Sequence, residues 1–72
     1  MQQNIRTFGR LREKIKEVYG TQKAFADAMD MNVATLNAKL NSKADWTATE
    51  IEKAVALLGI LVNDIPEYFF YN

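Results

Sequence analysis

This chain of 72 residues lacks the two side chains that most often act as nucleophile or general base near neutral pH. It contains no cysteine and no histidine, which excludes a thiolate nucleophile, a Ser-His triad, a disulfide and the usual zinc sites. Ser42 is the only serine, and no histidine can activate it. Glu13 and Glu17 would share a helix face, but the adjacent Lys14 and Lys16 make a solvated ionic face the simpler interpretation. We therefore expect a protein that is not an enzyme and that has no cofactor, no metal and no small-molecule substrate.

The remaining polar side chains suit binding, and their charges are unevenly distributed. The net charge is zero, yet residues 1–43 carry eight basic and four acidic side chains, and residues 44–72 carry one basic and five acidic. Any polyanion would therefore meet the N-terminal half. Ordinary solvated helix faces explain the same distribution equally well.

Apolar periodicity predicts one all-α domain over residues 1–72, with four helices and a short fifth. The first helix is expected over residues 7–19. The signals that bound the others are three N-caps, two glycine stops and a helix-starting proline, namely Thr21, Asn32, Thr47 (with Glu50 in a capping box), Gly20, Gly59 and Pro66. No apolar run is long enough to span a bilayer and no signal peptide is visible, so we expect no membrane partner and a cytoplasmic location.

Residues 21–41 have the spacing of a helix-turn-helix. The small Ala26 stands where the two helices must cross closely, and Phe25, Met29, Met31 and Leu36 would fill the wedge between them. Winding the second helix at about 100° per residue turns Leu36 inward, with Leu40 beside it. The residues then predicted to form the outer, binding surface are Asn32, Val33, Ala34, Thr35, Asn37, Ala38 and Asn41. Spacing alone does not decide whether that surface binds DNA or a protein.

Residues 21–42 resemble the helix-turn-helix of the phage repressor and Cro family, through Gln22 and Ala26 in particular. The segments GTQKAFADAM, TLNAKLN, EIEKAVALLGI and PEYFF more narrowly resemble small temperate-phage regulators, the Cro-like proteins and modulators of repression from phages of Gram-positive bacteria. This resemblance implies a repressor/Cro-like DNA-binding domain acting inside a bacterial host, in the choice between lysogeny and lytic growth. It implies either operator binding or a complex with the phage's main repressor.

Carried over by position, the resemblance also implies roles for individual side chains. The implied phosphate or DNA-backbone contacts are Gln22, Asn41 and Lys43, and the implied base-edge contacts are Val33, Ala34 and Asn37. Further phosphate candidates are Lys23, Lys39, Arg10 and Arg6.

Two positions depart from the family pattern. Asp30 stands where the family usually has a glycine in a turn with positive φ, a conformation that aspartate tolerates at some cost. Lys39 stands where many members have an apolar core residue, and Leu40 would fill that place one position later.

The reading helix has little with which to read bases. Discrimination relies chiefly on arginine, lysine, asparagine or glutamine, at about 1–3 kcal/mol for each bidentate pair. Only Asn37 could form such a pair, so we expect weak, salt-sensitive DNA binding by the protein alone. Small apolar groups ringed by amides suit packing against another helix. We therefore favour an anti-repressor or co-repressor that binds the cognate repressor over an autonomous Cro-like repressor that binds operator DNA, with a purely self-associating bundle as a third class.

Aromatic residues crowd the C-terminal tail, residues 66–72. We expect Phe69 or Phe70 to close the core, with the other aromatics among Tyr68, Phe69, Phe70 and Tyr71 forming an interface to a partner or a homodimer. Trp46 is expected to anchor the core at the entry to the fourth helix.

Overall fold

The computed structural model describes residues 7–70, which form five α-helices and one 3₁₀ turn and contain no strand. The helices are α1 (Gly9–Tyr19), α2 (Gln22–Ala28), α3 (Val33–Leu40), α4 (Ala48–Leu58) and α5 (Ile65–Phe69), and the 3₁₀ turn is Val62–Asp64. α1 packs against α2, α4 and α5, and α2 packs against α3. The predicted all-α architecture, with four helices and a short fifth, is confirmed.

Local capping interactions begin the helices where the sequence predicts. Thr21 Oγ1 accepts a hydrogen bond from the Ala24 N–H at 3.1 Å, and Asn32 Oδ1 accepts one from the Ala34 N–H at 2.8 Å. α4 begins with the complete capping box of Thr47. α1 begins at Gly9, two residues later than predicted, because Phe8 has a left-handed conformation with φ 54° that a helix cannot include.

The helix-turn-helix core forms as predicted between α2 and α3. Phe25, Ala26 and Leu36 are fully buried, Met29 is nearly so, and Met31 packs against them partly buried. Ala26 has no side chain beyond Cβ, so it allows the close approach of α3. This packing holds one side of α3 inside the molecule and leaves the other side outside.

The tail and the α3–α4 connection meet in an aromatic cluster. Trp46 packs edge-on against Phe69 with ring centroids 5.2 Å apart, and Phe8 lies 6.3 Å from Trp46. Phe69 is buried, so α5 closes the core as expected and Trp46 anchors it. No helix within residues 7–70 is long and apolar enough to cross a membrane.

The turn between α2 and α3 requires a left-handed residue, and Asp30 occupies that position. Its φ is 59°, and its N–H donates to Asp27 O at 3.1 Å. The Met31 N–H donates to Ala26 O at 2.9 Å, which completes a Schellman motif. The positive φ that the family resemblance implies at this position is therefore present, although aspartate replaces the glycine that adopts this conformation most easily.

Replacing Asp30 with glycine should stabilise the fold. Asp30→Gly removes the conformational cost of a left-handed aspartate, and we expect a gain of about 0.5 kcal/mol after the greater freedom of glycine in the unfolded chain is subtracted. The gain should raise the midpoint of thermal unfolding by about 2–4 °C. Asp30→Ala is the matched control and should lower the midpoint, because alanine keeps the Cβ strain and lacks the polar side chain. A glycine variant that melts below the alanine variant would contradict this account.

Candidate functional site

The outer side of the helix-turn-helix is an open surface, which we call the α3 ledge. It consists of the seven residues that the sequence predicts for this surface, Asn32, Val33, Ala34, Thr35, Asn37, Ala38 and Asn41. Six of them are exposed, Val33 to 38 %, and only Ala38 is half-buried. Packing of Leu36 and Leu40 into the core turns these residues outward, so one continuous strip of small apolar and amide side chains faces solvent.

Lys39, the one ionisable residue of α3, does not belong to the ledge. Its side chain is buried, with 7 % of the residue exposed. Its Nζ lies 2.9 Å from Glu50 Oε1 and donates to Asp45 O at 2.8 Å. The prediction that Lys39 contacts a DNA phosphate is therefore wrong, because a buried ammonium must keep the oxygen atoms that replace its water.

The pair formed by Lys39 and Glu50 joins the end of α3 to the start of α4. Glu50 Oε1 also accepts the Thr47 N–H at 3.0 Å, so one carboxylate serves both the capping box and the ion pair. Partial burial would raise the pKa of Glu50. The Thr47 N–H and the Lys39 ammonium outweigh that effect and hold the pKa below its ordinary value of 4.5.

Arg12 of α1 supports the other flank of α3. Its guanidinium donates to Thr7 O at 2.8 Å, to Leu40 O at 2.8 Å and to Asn41 Oδ1 at 2.7 Å. Asn41 Nδ2 in turn donates to Asn37 Oδ1. Asn41, for which the family resemblance implies a DNA-backbone contact, thus uses both ends of its amide inside the chain.

The other predicted phosphate contacts differ in their surroundings. Lys23 pairs with Asp27 at 3.1 Å, and Arg10 pairs with Glu67 at 3.4 Å. Lys43 is exposed after the end of α3, and Gln22 is half-buried at the first position of α2. Arg6 lies outside the described residues.

The aromatic tail is divided between core and surface. Phe69 is buried, Tyr68 is half-buried with its ring 5.8 Å from the Arg10 guanidinium, and Phe70 is 51 % exposed. Tyr71 lies outside the described residues. Burial of Phe69 removes it from any open interface, so an interface in this region would depend on its neighbours.

Sequence reasoning did not identify Arg12 as part of the site. The available signal was its position three residues before Ile15 and next to Leu11, at the border of the apolar stripe of α1. A cation at such a border can reach across to a neighbouring helix, but the sequence does not say which helix lies there.

Comparisons with known proteins agree with this fold. The family model described as "Protein of unknown function (DUF739)" matches residues 6–72. The solution structure of the modulator of repression (MOR) of the temperate bacteriophage TP901-1 from Lactococcus lactis is similar, with 44 % sequence identity and a TM-score of 0.79. The match covers 92 % of this chain and 88 % of that chain. No curated protein sequence matches this one significantly.

The free energy of unfolding should depend on pH through the Glu50 carboxylate. Because its pKa is lowered in the folded state, its stabilising effect is complete above about pH 4.5 and is lost as the pH falls through the folded value. Glu50→Gln keeps a capping-box side chain but cannot ionise. The variant should be less stable than the unaltered protein at pH 6, with a smaller difference at pH 3, as measured by urea unfolding.

Glu52→Gln is the matched control, because Glu52 is an exposed α4 glutamate with no ion pair within residues 7–70. It should behave like the unaltered protein at both pH values. An equal stability deficit of Glu50→Gln at pH 6 and pH 3 would contradict the stabilising role of the ionised pair.

Proposed function

This chain belongs to the DUF739 family and to the small temperate-phage helix-turn-helix regulators that resemble the TP901-1 modulator of repression, and we propose that it modulates repression by binding a phage repressor protein. In this role it acts in the switch between lysogenic and lytic growth, as an anti-repressor or co-repressor. The α3 ledge is the contact surface.

One observation carries this proposal: the helix in the recognition position exposes no charged side chain. The only ionisable residue of α3 is Lys39, which is buried against Glu50. Lys23 and Arg10, two of the flanking cations, are already paired with carboxylates. Since phosphate neutralisation by Lys and Arg provides most non-specific DNA affinity, a surface of this kind favours a partner other than the DNA backbone.

The ledge has properties that favour a protein contact. Val33 and Ala34 are small and apolar, so covering them costs little side-chain entropy and removes apolar surface from water. The surrounding amides can hydrogen-bond across an interface without the desolvation cost of a charge. A repressor whose own recognition helix packed on this ledge would be unable to enter the major groove, which links the contact to regulation.

Operator binding without a repressor is the alternative function, because the intact helix-turn-helix geometry and the exposed Asn37 are also compatible with base contacts. The proposed function predicts that no more than about three cations per chain reach phosphates. The logarithm of the DNA association constant should then fall with the logarithm of salt concentration at a slope of about −2.7 or shallower. Fluorescence anisotropy with labelled operator from 50 to 300 mM salt measures this slope. A slope near −6, with nanomolar binding by this protein alone, would favour the alternative.

A single aspartate in the ledge should abolish most repressor binding. Val33→Asp places a charge on the apolar part of the ledge and is compatible with the first turn of α3, where the helix dipole favours an anion. We expect at least about tenfold weaker binding to the cognate repressor in calorimetry, with an unchanged circular dichroism spectrum. In a gel shift with repressor and operator, the variant should lose the ability to alter the repressor–operator complex.

Val62→Asp is the matched control. Val62 is 77 % exposed and is the first residue of the 3₁₀ turn, so the same substitution occurs at a similar position outside the ledge. It should leave repressor binding intact. Loss of binding by Val62→Asp and not by Val33→Asp would move the interface away from α3. An unaltered protein that self-associates and leaves the repressor–operator complex unchanged would contradict the proposed function itself.

A further inference from the structure

A chain of hydrogen bonds runs from α1 to the outer face of α3. It begins at the Arg12 guanidinium, which donates to Asn41 Oδ1 at 2.7 Å, and continues from Asn41 Nδ2 to Asn37 Oδ1. Arg12 is also fixed by the carbonyls of Thr7 and Leu40, each at 2.8 Å. The first member of the chain is therefore held in one place, and the last member lies in the α3 ledge.

Arg12 fixes the direction of every bond in this chain. A guanidinium has only donors, so Asn41 must turn its oxygen toward Arg12 and its NH₂ toward Asn37. Asn37 must then accept with its own oxygen, which points its NH₂ away from the chain. No acceptor for Asn37 Nδ2 occurs within residues 7–70, and Asn37 is exposed. The ledge therefore presents a hydrogen-bond donor at this position.

The positive charge of Arg12, at the other end of this hydrogen-bond chain, has no carboxylate partner among residues 7–70. Arg10, Lys23 and Lys39 each pair with a carboxylate, whereas Arg12 bonds only to neutral oxygen atoms among residues 7–70. Successive hydrogen bonds polarise one another, so the cation makes the outward amide hydrogens of Asn37 more positive. An anionic acceptor complements such a donor better than a neutral one.

We propose that Asn37 is a specificity-determining residue of the ledge and that it donates to a carboxylate on the partner, an aspartate or glutamate side chain of the repressor. The inference rests on the proposed function and adds the chemistry of the partner's contact. Reading of adenine by Asn37 is disfavoured, because adenine requires one amide to donate and accept together, and the bond from Asn41 already takes one of the two lone pairs of Asn37 Oδ1 and turns that oxygen toward Asn41. Val33 and Ala34 lie one helical turn away, so the carboxylate would bind beside the apolar part of the ledge.

The test is Asn37→Asp, measured by calorimetry against the cognate repressor. The aspartate can still accept from Asn41 Nδ2, so the internal chain is kept while the outward donor becomes an anionic acceptor. We expect about 10- to 100-fold weaker binding, since a charge-assisted hydrogen bond is lost and two carboxylates meet. Asn63→Asp makes the same charge change at an exposed asparagine of the 3₁₀ turn and should change the affinity less than about twofold.

A reciprocal experiment identifies the contact. Surface carboxylates of the repressor are changed one at a time to the corresponding amides, and each variant is titrated with Asn37→Asp. One of these repressor variants should bind Asn37→Asp at least about tenfold more tightly than the unaltered repressor does, because an amide can donate to the new aspartate. Arg12→Met should weaken binding of the otherwise unaltered chain, because both asparagine amides are then able to rotate.

A spectroscopic measurement avoids dependence on how the variants fold. In two-dimensional ¹H–¹⁵N correlation NMR spectra of the unaltered protein, a saturating concentration of repressor should strongly shift the side-chain NH₂ signals of Asn37. Unmoved Asn37 signals, or equal affinity of Asn37→Asp and the unaltered chain, would overturn this inference alone. Absence of any repressor binding by the unaltered chain would overturn the proposed function, and this inference with it.

Discussion

A cation that leaves bulk water must find oxygen atoms to replace its hydration, and this requirement determines how α3 is held. Lys39 meets it with Glu50 and the Asp45 carbonyl, which fasten α3 to the start of α4. Arg12 meets it with backbone and amide oxygens at the end of α3, which fasten that end to α1. Two cations that could have served a polyanion are thus part of the internal structure, and the surface between them carries no charge.

The same pairing changes the meaning of the uneven charge distribution. The sequence has a basic N-terminal part and an acidic C-terminal part. Considered without the fold, this distribution suggests a cationic half that could bind DNA. Folding places the two parts together, with Arg10 against Glu67 and Lys39 against Glu50. Part of the apparent cationic character is therefore neutralised within the domain, at the surface for Arg10 and in the interior for Lys39.

The helix-turn-helix scaffold itself tolerates non-ideal turns. α2 and α3 both end with a left-handed residue that is not glycine, Asp30 with φ 59° and Ser42 with φ 60°. Each turn nevertheless makes the backbone hydrogen bonds of a Schellman motif, from Met31 to Ala26 and from Lys43 to Ala38. The position of the ledge relative to the core therefore depends on hydrogen bonds and on the buried wedge of Phe25 and its neighbours, and not on the preferred conformation of the turn residues.

The sequence by itself determined the features whose partners lie within a few residues, and the inner and outer side of each helix. The N-caps Thr21 and Asn32 and the Thr47 capping box could be predicted because each hydrogen bond spans two or three positions. The apolar spacing also gave the wedge of the helix-turn-helix and the composition of its outer face. Only the tertiary structure decided what that face can offer. Lys39 meets Glu50 eleven positions away, and Arg12 meets Asn41 across 29 positions. No local sequence pattern predicts contacts between residues so far apart, because these side chains meet only when the folded domain brings α1 and the start of α4 close to the end of α3.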